Sequence, residues 1–235
     1  MSRPVLLNNV DHHQLRVATG HGARFGDAVN QAIAFPGEFE QLQREYAILL
    51  RRNAEGAYRF TVLLGLDRNE NLFLDGDRWD ARYVPALHAR GPFSIGMAGA
   101  GAEPMIHVDL DHPRIAGDGA PVFREHGGNA PLLDAAGEAL RTIFTGSQAG
   151  EALIAAWLAL DLIAPVLLQL DLDDTRRYNL PDCYTIDSAR LAALDGAGLE
   201  RLHRIDGLRP AIWLASSLGN IRHLLDRKLR RDAGG

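Results

Sequence analysis

The sequence predicts an α+β fold, with a mainly antiparallel sheet from the first half and helices mostly from the second. Three observations carry this expectation. In YRFTVLLGL, Tyr58, Phe60, Val62, Leu64 and Leu66 fall on one face at period two, as a half-buried strand requires. The apolar runs that follow, NLFLD, PFSIGMA and PMIHVDLD, are joined by turns and one short helical stretch. That is too little chain for the long crossovers of a parallel sheet. In the second half the spacing becomes helical, with Leu133, Leu140, Ile143 and Phe144 on one side of APLLDAAGEALRTIF.

Taken in order, LNNVDHHQLRVATGHGARFG is an irregular lead-in with one short strand at LRVA. FPGEFEQLQREYAILL is a short helix running into a strand, with Pro36 in the first helical turn and Phe39, Leu42 and Tyr46 near i, i+3, i+7. Residues 67–70 are a polar turn that reverses the chain into NLFLD. Pro85 opens a short helix through Arg90, ended by Gly91 and Pro92. PFSIGMA and PMIHVDLD pair around GAGAE. Val62, Leu64, Leu66, Leu72, Leu74, Ile106, Val108 and Leu110 are expected to be buried in one sheet.

In the second half, a helix beginning near Pro131 is expected to end at Gly146, and Ser147 to cap another that ends around Leu160. VLLQLDL and CYTID flank the turn-rich DDTRRYNLPD as a hairpin. Short helices begin at Ser188 and span 197–205, and Pro210 opens a long last helix with Ile212, Trp213, Ile221, Leu224 and Leu225 as its apolar stripe. No repeat or low-complexity linker interrupts the chain. It reads as one domain, 1–235, with a weak subdivision near 127–130 at Gly127 and Gly128.

The composition narrows the function. With 46% hydrophobic and 23% charged residues over 235 positions, the chain can bury a core without covalent staples. A net charge of −5 opposes a dedicated nucleic-acid binder. The basic tail RHLLDRKLRR reads as cations answering a helix C-terminus. One cysteine, Cys183, allows no internal disulfide and no cysteine-built zinc site. MSRPVLLNNVDHHQLRV has no continuous apolar segment of signal-peptide length, and ALIAAWLAL and LIAPVLLQL fall short of a membrane span. A cytoplasmic location is therefore expected.

Six features invite chemistry. HVDLDH places His107 and Asp109 on one face at the local spacing of an iron(II) facial triad, with His126, His203 or His223 as distal candidates. The opposite face, Ile106, Val108 and Leu110, is the pattern of an ordinary half-buried strand, which is the stronger reading. TGHGARFGDA offers Gly20, Gly22 and Gly26, but the third glycine is one residue late for a dinucleotide loop, so loop glycines of unusual φ are expected. Cys183 lacks a base in reach of its sequence neighbourhood, SSLGN lacks the setting of a nucleophile elbow, and His12 and His13 read as loop residues. Finally, GLDRNENLFLDGDRWDARYVPALHARGPFSIG crowds aromatics and charges between two apolar runs. Arg78, Trp79, Arg82, Tyr83 and Arg90 form its candidate recognition surface, since arginine and aromatic residues dominate binding hot spots. Trp79 and Tyr83, four apart, would lie together if the segment coils.

GEF near a tyrosine, LLGL before NLF, WDARYVPA before PF, then YTID and SLGNIRHLLDRK follow one another as blocks. In order and spacing this chain is similar to the bacterial SapC family over about residues 8–228. Tyr46-Ala47-Ile48 departs from the family's usual Y-P-I. The family takes its name from an S-layer gene cluster, and members are often encoded beside outer-membrane receptors, tryptophan-halogenase-like flavoproteins and cupin-like proteins. The resemblance implies a non-catalytic accessory or binding protein of a surface or nutrient-uptake system, without a cofactor. It implies a protein partner from the same locus, and a homo-oligomer is compatible with it. It carries over no catalytic residue. A metal-dependent enzyme using His107 and Asp109 and an S-layer component are the competing readings.

Overall fold

The alternation around residue 60 forms a strand, Tyr58–Leu63, within a five-stranded antiparallel sheet. The strand order is Ile163–Pro165, Cys183–Ile186, Ile48–Arg52, Tyr58–Leu63, Gln31–Ile33. Register is set by pairs such as Leu50 with Phe60, and Val62 with both Ile48 and Ala32. The structure, a computed structural model, describes residues 3–53, 55–97, 103–173 and 175–234. Its chain divides into two compact units: Met1–Asp27, Leu74–Asp80 and Ala86–Phe144 in the first, and Ala28–Phe73, Ala81–Pro85 and Thr145–Gly235 in the second.

The second unit holds the five-stranded sheet and most of the helices: Phe39–Leu42, Ser188–Ala192, Gly196–Arg204, Leu208–Ser217 and Asn220–Ala233. Its interior is built on aromatic edges, with Phe39 against Phe60 at 5.0 Å and Phe60 against Trp157 at 5.7 Å between ring centroids. Trp157 is fully buried and donates its indole N–H to the Gly207 carbonyl at 3.2 Å, satisfying the one polar group that burial would orphan. Asp187 and Asp195 cap the helices that follow them by accepting backbone N–H groups.

The first unit holds a three-stranded antiparallel sheet, Pro4–Leu6, Pro104–Asp109 and Phe93–Met97, and the short pair Arg16–Val17 with Ala120–Pro121. Val17, Phe93, Val108, Val122, Leu133 and Leu140 form its core. A two-residue-a-side hairpin, Leu74–Asp75 with Arg78–Trp79, completes it.

The α+β class and the antiparallel pairing follow the sequence, and five local expectations do not. The eight apolar positions do not share one sheet: Val62, Leu74, and Ile106 with Val108 lie in three different sheets, Leu64, Leu66, Leu72 and Leu110 lie outside the strands, and Leu66, Leu74, Ile106 and Leu110 are half-buried. Period-two patterning says which face is covered and leaves the neighbouring strand open. Residues 67–70 do reverse the chain, with Glu70 accepting from the N–H groups of Leu66 and Asp67, but strand pairing resumes only at Leu74. The first strand of the second hairpin, Leu168–Asp171, lies where expected, but it pairs with Arg177–Leu180 from inside the supposed turn, and Cys183–Ile186 joins the five-stranded sheet instead. The helix from Pro131 runs unbroken to Ala159. Gly146 continues it because the position needs a bare Cα: a Cβ would meet that of Phe35 at 2.6 Å.

The last helix, conversely, is broken at residues 218–219. There Ser217 Oγ accepts the Ile48 N–H at 2.9 Å, and Asn220 Nδ2 donates to the carbonyls of Gln43 and Tyr46 at 2.8 and 2.9 Å. The interruption gives buried backbone groups of a neighbouring segment the partners they require. Most of the GAGAE connection lies outside the described residues.

Candidate functional site

In HGARFGD the chain makes a short 3-10 turn, Ala23–Phe25, between Gly22 at φ 153° and Gly26 at φ 83°. Both angles are ones that side chains with a Cβ rarely adopt. The loop closes on Asp27, whose Oδ2 accepts the Gly22 N–H at 2.9 Å. Asp27 is only 2% exposed, so its carboxylate needs further partners, and the first unit gathers them from three separate stretches.

Arg114 donates Nη2 to Asp27 Oδ2 at 2.8 Å, and its Nη1 reaches the carbonyls of Ala18 and Gly20. His88, from the helix Ala86–Ala89, brings Nδ1 to 3.0 Å from Oδ1, and His21 brings Nδ1 to 3.3 Å from Oδ2. The buried Trp79 packs on both imidazoles, its ring centroid 5.3 Å from His21 and 5.0 Å from His88. Burial by itself would favour a neutral Asp27. The hydrogen bonds from His21 and His88, the Gly22 N–H and the Arg114 charge outweigh it and hold the carboxyl far below the usual carboxylate range.

An ionised carboxylate only accepts, so His88 Nδ1 donates to it, whereas His21 Nδ1 lies 3.3 Å from both the Asp27 Oδ2 acceptor and the Arg114 Nη2 donor. His88 Nε2 is buried and without a hydrogen-bond partner. The Asp27–His88 contact has the orientation of an Asp–His pair, but no hydroxyl or thiol is bonded to Nε2 to be activated. The cluster works as a clamp that fixes loop, helix and hairpin to one carboxylate. None of Asp27, His21, His88 or Arg114 was legible as a site in the sequence. They are scattered over more than ninety positions, and only the glycines around HGARFGD hinted at an ordered loop.

The five residues of the predicted recognition surface are divided between the units. In the first, Trp79 is in the clamp, while Arg78 next to it is 70% exposed and pairs with Asp75 at 2.9 Å. Arg90 is half-buried, donates to the Phe93 carbonyl at 2.6 Å, and has its basicity lowered by burial. In the second, Arg82 is anchored by its backbone N–H on Glu45 at 2.8 Å and leaves its side chain exposed. Tyr83 donates its hydroxyl to the buried Glu38 at 3.0 Å and accepts the Tyr46 hydroxyl on its carbonyl at 2.5 Å. Burial and the neighbouring Glu38 charge push the Tyr83 phenol well up. Residues 79–83 form no helical turn, so the stacking expected of Trp79 and Tyr83 at i, i+4 has no helix to produce it.

The metal reading finds no ligand set. Among the described residues no group of three His, Cys, Asp or Glu could hold an ion. His107 lies over Gly96 with Nδ1 3.3 Å from the Met105 carbonyl, and Asp109 accepts the N–H groups of Arg3 and Asp111. His126, His203 and His223 are exposed. Cys183 is buried, its thiol pushed up by burial, with Arg51 and the Pro181 carbonyl as its contacts. His12 and His13 bond back to Asn8 and Val10 within the lead-in turn. No helix among the described residues is long and apolar enough to cross a membrane.

Neither the curated proteins nor the solved structures offer a match to this chain. A family model does match, over residues 7–224. That span takes in both the residues of the Asp27 clamp and the blocks from GEF to NIRHL, and it establishes that the chain belongs to the SapC family.

Proposed function

We propose that the protein is a non-catalytic accessory or binding protein of a bacterial surface or nutrient-uptake system, acting in the cytoplasm on a protein partner from the same locus. Membership of the SapC family supports the choice of system. The observation that carries the binding role is the hairpin Leu74–Asp75/Arg78–Trp79: its last residue is 8% exposed within the Asp27 clamp, whereas Asp75, Gly76, Asp77 and Arg78 are all exposed. The tip is also tied at its backbone, where the Asp77 carbonyl accepts the His21 N–H at 2.8 Å. A tip held this firmly loses little conformational freedom on binding, which favours recognition. Arg82, on its own unit, presents a second anchored arginine.

Two variants separate scaffold from recognition. Trp79→Ala should destabilise the protein by about 3 kcal/mol, as truncating a buried indole does. Arg78→Ala and Arg82→Ala, made singly, should melt within a degree or two of the parent, since exposed substitutions change stability by no more than about 0.5 kcal/mol. Affinity capture from the native organism, read by mass spectrometry, should show the locus-encoded partner lost from the arginine variants. Retention of every partner by both would remove the recognition role.

A further inference from the structure

Within the first unit, a cleft of about 340 Å³ is lined by Thr19, Arg24, Phe25, Pro113, Ala116 and Asp118, among others. Two of these carry full and opposite charges. Arg24 and Asp118 are both exposed, and neither forms a hydrogen bond or ion pair with the other or with any described residue. Opposite charges that share a cleft without meeting create a local field with a direction, and it is complementary to a ligand carrying the reverse pair.

Arg24 is placed by its ring contact and Asp118 by the backbone of its loop. The Arg24 guanidinium lies 4.5 Å from the centroid of the buried Phe25 ring. A guanidinium held on a ring by its face keeps its edge N–H fork available for a carboxylate. Asp118 sits in a loop held from both ends: Ala116 N–H donates to the Arg16 carbonyl at 3.2 Å, and Arg16 Nη1 to the Gly119 carbonyl at 3.0 Å. The close approach is one only glycine allows, because a Cβ on Gly119 would come 2.4 Å from the Val17 carbonyl carbon.

We propose that this cleft binds a small zwitterion of the α-amino-acid class. The carboxylate meets Arg24, the ammonium meets Asp118, the Thr19 hydroxyl supplies a further polar contact, and the carbon skeleton lies on Pro113 and Ala116. A simple anion would meet repulsion from Asp118 and a simple cation repulsion from Arg24, so only the dipolar ligand satisfies both. No internal ion pair has to break for it to enter. The volume is at the small end of the roughly 300–1,000 Å³ of small-molecule sites, which suits a single amino acid.

The test uses the full chain and the common L-amino acids, each added separately at about 10 mM in a thermal-shift assay, followed by calorimetric titration of the best binder. At least one should raise the melting temperature. Its affinity should fall about tenfold or more in Arg24→Gln and in Asp118→Asn, the loss expected when a charge-assisted contact is removed, and stay unchanged in Arg124→Gln. The matching amine without the carboxylate, and the matching acid without the amine, should each bind at least about tenfold more weakly. The proposal is overturned if no amino acid shifts the melting temperature, if Arg24→Gln binds as the parent does, or if the amine-free acid binds as tightly as the amino acid.

Discussion

Asp27 in the first unit and Lys228 in the second pose the same physical problem with opposite sign. Each is a buried charge held by several partners at about hydrogen-bond distance. Asp27 faces Arg114 at 2.8 Å and two imidazoles, and Lys228 faces Asp67 and Glu70 at 2.8 Å and Asp232 at 3.3 Å. The partners differ in their access to water. Around Asp27 the side chains of Arg114, His88 and His21 are 5%, 9% and 17% exposed, whereas around Lys228 those of Glu70, Asp232 and Asp67 are 11%, 26% and 51% exposed. The same N–O separation therefore acts through a drier medium in the first case. It is the enclosure of the partners, and not the number of contacts, that sets what each cluster contributes.

The largest expected effect follows from this. Asp27→Ala leaves Arg114 buried without its counter-charge and should cost about 3–5 kcal/mol, measured by urea denaturation at neutral pH. The native carboxyl titrates far below its unfolded value, so Asp27 stabilises the fold fully above about pH 5 and progressively less as the pH falls through the unfolded value near 4 toward the native one. Asp27→Asn should remove this acid limb, flattening stability against pH between about 5 and 3. An unchanged slope in that window would mean the cluster does not hold the charge.

Lys228→Met should cost less, about 1 kcal/mol, because water already screens two of its three carboxylates. The difference from the parent should narrow further in about 1 M salt, where the Debye length is only about 3 Å. Equal losses in Lys228→Met and Asp27→Ala would break the comparison. A finer version uses one helix, Pro131–Ala159, with a glycine at an open position and another at an enclosed one. Gly137 has nothing within 4 Å of an added Cβ, and Gly146 has Phe35 at 2.6 Å. Gly137→Ala should stabilise by about 0.5–1 kcal/mol through helix propensity. Gly146→Ala should cancel that gain or reverse it, and matching melting temperatures for the two variants would show that Phe35 yields.

Much of the fold was legible in the residues. The alternation of Tyr58–Leu63, the proline-opened helix at residue 131 and the helix starts near Ser188 and residue 197 are local signals, set by φ/ψ preference and side-chain period, and the α+β class follows from them. The SapC blocks were legible too, because they are a matter of order and spacing. The candidate site was mostly not. Trp79 stood out as an aromatic, but its partners at 21, 27, 88 and 114 share no spacing that chemistry would demand of a sequence.

What the sequence by itself determined, then, is which segments are strands and helices and which of their faces are apolar, since both depend on neighbours within a few residues. Only the tertiary structure decided which strands are adjacent, why Gly146 continues a helix while residues 218–219 interrupt one, and where Asp27 finds its cations. Those outcomes turn on contacts between residues distant in the chain: a ring pressed on a bare Cα, backbone groups near Ile48 needing Ser217 and Asn220, and a buried carboxylate that stays ionised only where Arg114, His21 and His88 converge.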